Sequence, residues 1–575
     1  MQYFRALATD YDGTIAHDGV VDEATIMALD RLKRAGRRLI MVTGRELPDL
    51  QRVCPRLDLF DRVVVENGAL LYNPATKEER PLGPPPPPAF VDRLQSLGLQ
   101  PLSIGQVIVA TWEPNETAVL EAIRDLGLDL QIIFNKGAVM VLPNGINKAS
   151  GLGAALEDMG LSAHNVVATG DAENDLAFMR TCGCAVAVGN ALPAVKEAAD
   201  MVTDAPRGAG VAELIDRWID REGELLDAAI YRHSVLIGAT LGLGQEVSLR
   251  PDRGSVLITG TSGGGKSTLA TALLERLAEA DFQLCLFDPE GDYDNFAPTV
   301  TFGDANTPVA PEAVLDAVRK LGTNVTANLL GSSVEDRPEV LANLLPAVLD
   351  IRARYGRPHW ILIDEAHHML PRGQDAGAGI NLDAQVPTIF ITVHPDTLAA
   401  AALRSVGTVL IIGRNSLGLI ESLSQEFGRP CPVLPERGPE VGEAVFWACR
   451  TNEPPVLIRT EKPKGAVKRH TRKYAQGTLG PDRSFYFKGP EDRLDIRAHN
   501  LSMFLDIGDG VDAETYLFHL RNGDVDTWLR TSIKDEELAD EIANIAANES
   551  IDVAESRKMV RAAVEQRYTA PATPD

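Results

Sequence analysis

The sequence predicts an α/β protein in three parts, and three observations carry that reading. Short β-rich apolar runs alternate with amphipathic helical patterns through two long blocks, residues 1–215 and 235–460. In both blocks, clusters of Gly, Asp and Thr directly follow apolar strands, at the strand ends where open α/β sheets gather ligands. A last block, 479–568, changes to helical periodicity with aromatics at Phe504, Tyr516, Phe518 and Trp528, and predicts a small, mainly helical domain. At 575 residues the chain is long enough for each part to bury its own core.

The opening run FRALATDYDG predicts a buried strand entering a glycine turn, which sets Asp10 and Asp12 at its C-terminal tip. Two carboxylates so close repel unless a cation or a proton lies between them, so they point to a hard, oxygen-liganded metal and to divided labour: one nucleophile, one proton carrier. The next strand, RRLIMVTGR, delivers Thr43, whose hydroxyl and neighbouring N–H groups suit a phosphoryl oxygen. Lys148 supplies positive charge. HNVVATGD then carries Asp171, with Asn174 and Asp175 on the following turn, which adds oxygens for an octahedral Mg²⁺.

Between TGR and Lys148 lies an insertion, about 83–144, that reads as helix, strand, helix, strand, strand after a stiff proline spacer, Pro84 to Pro88. It predicts a small α+β cap. A cap over the crevice excludes water and limits substrate size, which favours a small phosphorylated metabolite over a polymer end.

These pieces, DYDGT, TGR, Lys148 and GDAEND, resemble in order and content the haloacid dehalogenase (HAD) superfamily, specifically its Cof-type phosphatases with a cap between the second and third motifs. The resemblance covers residues 1–215 and implies a Rossmann-like core. It further implies that Asp10 attacks phosphorus to give an aspartyl-phosphate, and that Asp12 protonates the leaving group and later activates water. Thr43 and Lys148 would hold the phosphoryl group. Asp10, the backbone carbonyl of Asp12, and Asp171 would ligate Mg²⁺, with Asp175 and Asn174 in support. The ENGA run, Glu66 to Ala69, also fits this subgroup, whose Asn67-Gly68 turn borders the site. The cap's size and the PNGINKASGL segment after it resemble phosphoglycolate and sugar phosphatases.

A second site opens after the strand SVLITG, where GTSGGGKST, Gly260 to Thr268, runs into the helical pattern LATALLERLAEA. This is a P-loop in its proper setting: glycines turn successive N–H groups toward phosphates at a helix N-terminus, Lys266 reaches the β- and γ-phosphates, and Ser267 ligates Mg²⁺. The ATP-binding set is Gly260, Gly263, Gly264, Gly265, Lys266, Ser267, Thr268 and Asp364. WILIDEAHH, Trp360 to His368, is the Walker B partner: Asp364 holds the Mg²⁺ shell and Glu365 orients or activates water. FQLCLFDPEGDY ends a strand at Asp288, and TIFITVHPDTL ends one near His394. This succession is similar to the HerA/FtsK group of P-loop ATPases, over residues 235–460, which implies hexameric rings that translocate DNA. Thr392 and His394 fall in the sensor region. Arg404 and Arg414 read either as fingers for a neighbour's γ-phosphate or as ordinary surface charges.

The polar stretch Asp216 to Asp227 reads as a helical connector, within a connecting segment 216–234. From Lys462 to Lys473 the chain carries Lys462, Lys464, Lys468, Arg469, Arg472 and Lys473 without an acid, inside a predicted linker, 461–478. That run is either a solvated spacer or a contact for a phosphate backbone. TYLFHL, DVDTWL and DEELA resemble a prokaryotic domain of unknown function, and His519 and Trp528 read as core or partner-facing residues. The tail, 569–575, reads as disordered. A net charge of −25 argues against a broadly basic nucleic-acid surface but leaves room for a local basic pore. Six scattered cysteines form no disulfide framework, and the lone CxC at Cys182 and Cys184 makes no zinc site. Without an apolar leader or an 18-residue apolar run, the expected setting is the cytoplasm, with no membrane. The leading expectation is therefore a Mg²⁺-dependent phosphomonoesterase joined to a HerA/FtsK-like ATP-hydrolysing domain, for which the resemblance leaves self-association into a ring open. Its alternatives are a DNA-processing motor with an accessory phosphatase, and a phosphatase switched by ATP binding.

Overall fold

A computed structural model of the protein describes residues 3–568, apart from 136, 262–263, 294–295, 374–386, 414–415, 465–478, 481–482, 534 and 549. The first unit is built on an eight-stranded sheet. Its order is Met201–Val202, Cys184–Ala187, Val166–Gly170, Ala6–Thr9, Arg38–Val42, Arg62–Val65, Leu70–Asn73 and Glu78–Pro81. The first six strands are parallel and the last two turn back antiparallel. Ala6–Thr9 is buried on both faces, which is why it reads as a continuous apolar run. From it the chain winds outward to one side, then returns after the cap to build the other side. The switch point lies between Ala6–Thr9 and Val166–Gly170, and Thr9 pairs with Thr169 there, so Asp10 and Asp171 emerge at adjacent strand tips.

The core of this unit extends beyond residue 215. The helix Arg207–Ala228 packs Leu214, Ile215, Trp218, Leu225 and Leu226 into it, so the polar stretch read as a connector is the outer face of an amphipathic helix. The cap is a four-stranded antiparallel sheet in the order Ser103–Ile104, Val109–Trp112, Ala138–Pro143, Leu130–Asn135. It holds one short strand more than the sequence predicts. Helices Pro88–Ser96 and Glu116–Asp125 bring Phe90, Leu94 and Val119 against Val109 and Val141. Met140 and Leu142 instead cluster with Ala69 of the core.

The second unit has an eleven-stranded sheet. Seven strands are parallel, in the order Val406–Ile412, Ser255–Gly260, Thr388–Thr392, Trp360–Ile363, Leu284–Asp288, Asn324–Asn328, Thr299–Phe302. Thr388–Thr392 thus lies between the P-loop strand and the Walker B strand. The third unit is mainly helical, from Leu501–Gly510 to Val553–Tyr568, and adds a hairpin of Phe485–Phe487 with Ile496–Ala498. That hairpin is too short for its alternation to register as a strand pattern. Phe485, Phe487, Phe504 and Trp528 form its aromatic centre. Lys468, Arg469, Arg472 and Lys473 of the basic run and the tail 569–575 lie outside the described residues. Among the described residues no helix is long and apolar enough to cross a membrane.

Candidate active sites

At the switch point of the first sheet, carboxylate oxygens of Asp10, Asp171 and Asp175 lie within 4.8 Å of one another, all buried. Lys148 Nζ sits between two of them, 2.6 Å from Asp10 Oδ1 and 2.6 Å from Asp175 Oδ1. It is placed there by the helix Lys148–Met159, whose N-cap Asn147 makes a capping box with Ser150. Thr14 Oγ1 donates to Asp10 Oδ2 at 3.2 Å and approaches Asp171 Oδ1 at 3.4 Å. Asp175 Oδ2 accepts the N–H groups of Asp171 and Ala172, so Asp175 shapes the loop as well as pairing with Lys148.

Three buried carboxylates thus face one ammonium. Burial raises the pKa of Asp10, and repulsion from Asp175 adds to that, while Lys148 opposes it. For Lys148, burial opposes the charge, but Asp10 and Asp175 outweigh it and raise its pKa. The excess of negative charge, carried by hard oxygens, fits a divalent cation such as Mg²⁺.

The carboxylate of Asp12 is not part of that cluster. Arg45 holds it bidentately, with Nε 2.6 Å from Oδ2 and Nη2 2.7 Å from Oδ1, and also reaches Asp49. Thr43 is buried beside this pair; its hydroxyl accepts the N–H of Arg45 at 3.2 Å, and its carbonyl accepts the N–H of Asn67 at 3.0 Å. Asn174 Nδ2 donates to Asn67 Oδ1 at 3.3 Å, which joins the last motif to the ENGA turn. The sequence singled out neither Arg45 nor Glu66 for a role. A basic residue and an acid placed directly after the strand tips were the only available signal.

In the second unit, Lys266 opens the helix Lys266–Glu279, and its Nζ donates to the carbonyls of Gly260 at 3.1 Å and Thr261 at 2.9 Å. A Cβ on Gly260 would lie 1.9 Å from the carbonyl oxygen of Ile412, so the loop's first turn requires glycine. Ser267 and Thr268 occupy the first helical turn, Gly264 and Gly265 precede it, and Gly263 lies outside the described residues. Asp364 is buried at the end of its strand, and its Oδ1 accepts the N–H of Glu365 at 2.8 Å. Burial, then Glu365, Asp292, Asp288 and Glu290, raise its pKa well above the usual range. Glu365 takes a left-handed conformation (φ +43°) and lies 3.3 Å from His367 Nδ1. Thr392 is buried at the tip between these strands, with its hydroxyl 3.1 Å from His367, whereas His394 is exposed. Arg404 is exposed, and Arg414 lies outside the described residues. A residue of the third unit also arrives here: Arg483 pairs with Glu290 at 3.2 Å.

The fold and the acidic crevice define a hydrolase class, and comparison with known proteins agrees. A profile of haloacid dehalogenase-like hydrolases matches residues 7–82 and 102–215, and a profile of AAA domains matches residues 249–393. The chain belongs to the haloacid dehalogenase-like hydrolases, and it joins a phosphatase-type unit to an AAA-type ATPase domain. It is 33% identical over 223 residues to a phosphoglycolate phosphatase of Methanothermobacter thermautotrophicus, covering 37% of this chain and 99% of that protein. It is 31% identical to a phosphoglycolate phosphatase of Natronomonas pharaonis, over 37% of this chain and 96% of that protein. A 5-amino-6-(5-phospho-D-ribitylamino)uracil phosphatase of Bacillus subtilis is 27% identical, over 37% of this chain and 96% of that protein.

Proposed function

We propose that the first unit is a Mg²⁺-dependent phosphomonoesterase that acts through an aspartyl-phosphate on a small phosphorylated metabolite, and that the second unit binds and hydrolyses ATP. The observation that carries the reading is the buried cluster of Asp10, Asp171 and Asp175 around Lys148. Asp10 Oδ2 is the attacking atom, while its other oxygen is held by Lys148. The phosphoryl oxygens meet Lys148 and the Thr43 hydroxyl. Asp12, oriented by Arg45, gives its proton to the leaving oxygen and then takes one from the water that cleaves the acyl-phosphate. Asp10, Asp171, Asp175 and the Asp12 carbonyl would hold Mg²⁺, which when bound neutralises charge at the phosphoryl group. The phosphoglycolate phosphatases among the relatives support small phosphomonoesters as the substrate class. In the second unit Lys266 would meet the nucleotide phosphates, Ser267 and Asp364 the magnesium shell, and Glu365 the attacking water. Within the AAA-type class we read this unit as HerA/FtsK-like and ring-forming, and ATP turnover stimulated by DNA and weakened by salt would test that.

Asp10→Asn should abolish phosphate release from a phosphomonoester panel and spare ATP hydrolysis, and Lys266→Ala should do the converse. Retention of its own activity by either variant would remove that assignment.

A specific observation favours a second reading, in which ATP binding regulates the phosphatase. Asn165, directly before the strand Val166–Gly170 that leads to Asp171, donates through Nδ2 to the carbonyl of Tyr3 and meets His359 Nε2 at 3.1 Å, and His359 directly precedes the Walker B strand Trp360–Ile363. His164 meets the carbonyl of Ala280, which caps the P-loop helix, at 2.8 Å. The strands that carry both sites are therefore tied back to back. A difference in phosphatase rate with and without a non-hydrolysable ATP analogue, lost in Asn165→Ala, would support coupling, since coupling requires such a difference.

A further inference from the structure

Glu66 directly follows the strand Arg62–Val65 and is buried, yet its carboxylate makes no ion pair among the described residues. It accepts instead from three consecutive backbone N–H groups of the cap: Gln106 at 2.9 Å on Oε1, and Val107 at 2.8 Å and Ile108 at 3.0 Å on Oε2. The loop that provides them is closed by Gly105 N–H to the Ile108 carbonyl at 2.8 Å. A Cβ on Gly105 would lie 2.7 Å from Glu66 Oε1, so the loop wraps the carboxylate only because position 105 has no side chain. Successive N–H groups turned inward make an anion nest, and the anion in this nest is the core's own side chain.

The other end of Glu66 is fixed to the phosphate loop. Its N–H donates to the Arg45 carbonyl at 2.9 Å, and the next residue donates to the Thr43 carbonyl at 3.0 Å. Glu66, Asn67 and Gly68 all have positive φ, +52°, +53° and +107°. The two non-glycine residues, Glu66 and Asn67, are strained there and persist only where their surroundings hold them, while Gly68 adopts its φ freely. Covalently the cap is joined to the core by the proline segment before it and by the return to Lys148 after it. The Glu66 nest is a third, non-covalent tie, on the side where Met140 overhangs Gly44 of the TGR loop at 3.6 Å from that glycine's would-be Cβ and Ser103 hydrogen-bonds Glu46.

We propose that Glu66 is the latch of the cap: a positioning residue that holds the cap closed over the leaving group by filling the nest at 105–108, and that registers it against the Thr43–Arg45 loop. This rests on the proposed phosphatase reading and assigns Glu66 no contact with substrate. Two classes of ligand separate its role from that of the site beneath. Inorganic phosphate needs only the core groups, Thr43 and Lys148 with the acidic cluster. A phosphomonoester also needs the cap over its leaving group.

The test uses the full chain with Glu66→Gln, which keeps size and one acceptor oxygen, and Glu66→Ala. In hydrogen exchange read by mass spectrometry, peptides across 103–112 should lose protection in both variants, more in the alanine. Peptides across 166–175 should keep theirs. With p-nitrophenyl phosphate the KM should rise about tenfold in Glu66→Ala and less in Glu66→Gln, the loss expected for charge-assisted hydrogen bonds. The inhibition constant of inorganic phosphate and the ATP turnover should stay unchanged. Undiminished protection at 103–112 would overturn the latch, as would a phosphate inhibition constant that moved in parallel with KM. Should the wild-type chain turn over no phosphomonoester, the phosphatase reading fails, while the exchange measurement still decides the latch.

Discussion

At the scale of single residues, the two carboxylates of the DYDGT motif differ in what surrounds them. Asp10 is 4% exposed and shares an ammonium with Asp175, whereas Asp12 is gripped by the planar fork of Arg45. The first environment suits a nucleophile held in one orientation, and the second suits a proton carrier that must point at a leaving oxygen. General acid catalysis matters most when the leaving group is poor. Asp12→Asn should therefore cut kcat for an alkyl phosphate by roughly 10²- to 10⁴-fold and for p-nitrophenyl phosphate by much less. Arg45→Ala should show the same dependence on leaving group with a smaller amplitude, because the acid is still present but unoriented. Equal losses on both substrates would place Arg45 outside proton transfer. Lys148→Met leaves buried carboxylates facing one another, so it should also lower stability, by about 3 to 5 kcal/mol in urea unfolding.

At the scale of elements, the strand tips were legible and their attachments were not. Asp10, Thr43 and Asp171 each follow an apolar run buried on both faces, and such runs announce both the strand and its end. The stretch Asp216 to Asp227 reads as a helical connector because its polar face is continuous, while only Trp218, Leu225 and Leu226 mark the side that packs on the core. The partners of Glu66 could not be read, since the nest lies 40 residues away in a cap whose docking no local pattern encodes. Gly68 is a comparable case. It reads as a turn residue, yet a Cβ there would lie 1.9 Å from the Asn147 carbonyl oxygen, at the N-cap of the Lys148 helix. Gly68→Ala must therefore displace that helix start as well as strain a φ of +107°. The expected result is a loss of about 2 to 4 kcal/mol in stability and of most phosphatase activity. Gly145→Ala, at φ +81° with open space around it, should cost only the backbone strain and spare the rate.

At the scale of the whole molecule, the two large units meet through the ends of their strands that lie opposite the sites, and that junction is rich in imidazole. Ring centroids of His164 and His359 are 5.3 Å apart, those of His164 and His233 are 6.1 Å apart, and Phe282 stacks on His164 at 4.2 Å. Arg357, buried between the units, donates to the Gly160 carbonyl of the first unit and to Val318 and Arg319 of the second. His359 Nδ1 accepts the N–H of Gln283 at 2.8 Å, so a proton on that nitrogen would break a buried hydrogen bond. Burial lowers the pKa of all three histidines, that of His233 to about 4, and Arg352, Arg357 and Arg232 nearby push in the same direction. Asp252 and Asp281 oppose them weakly.

An unfolded histidine titrates at about 6.5, so below that pH the unfolded chain takes up protons that the folded junction refuses. Stability from these groups is complete above about pH 6.5 and is lost as pH falls toward 4; His233 alone accounts for about 3 kcal/mol of it. Urea midpoints measured at pH 7.5, 6.0 and 5.0 should fall steadily, and His233→Gln and His359→Gln should each flatten the decline while lowering the value at pH 7.5. Both rings sit where the units join, so the same acidification should separate the units before either core melts. It should therefore expose a cleavable site at 160–165 to limited proteolysis while Asp10→Asn, far from the junction, behaves as wild type. A pH slope unchanged by both histidine substitutions would show that other groups set the acid limit of this chain.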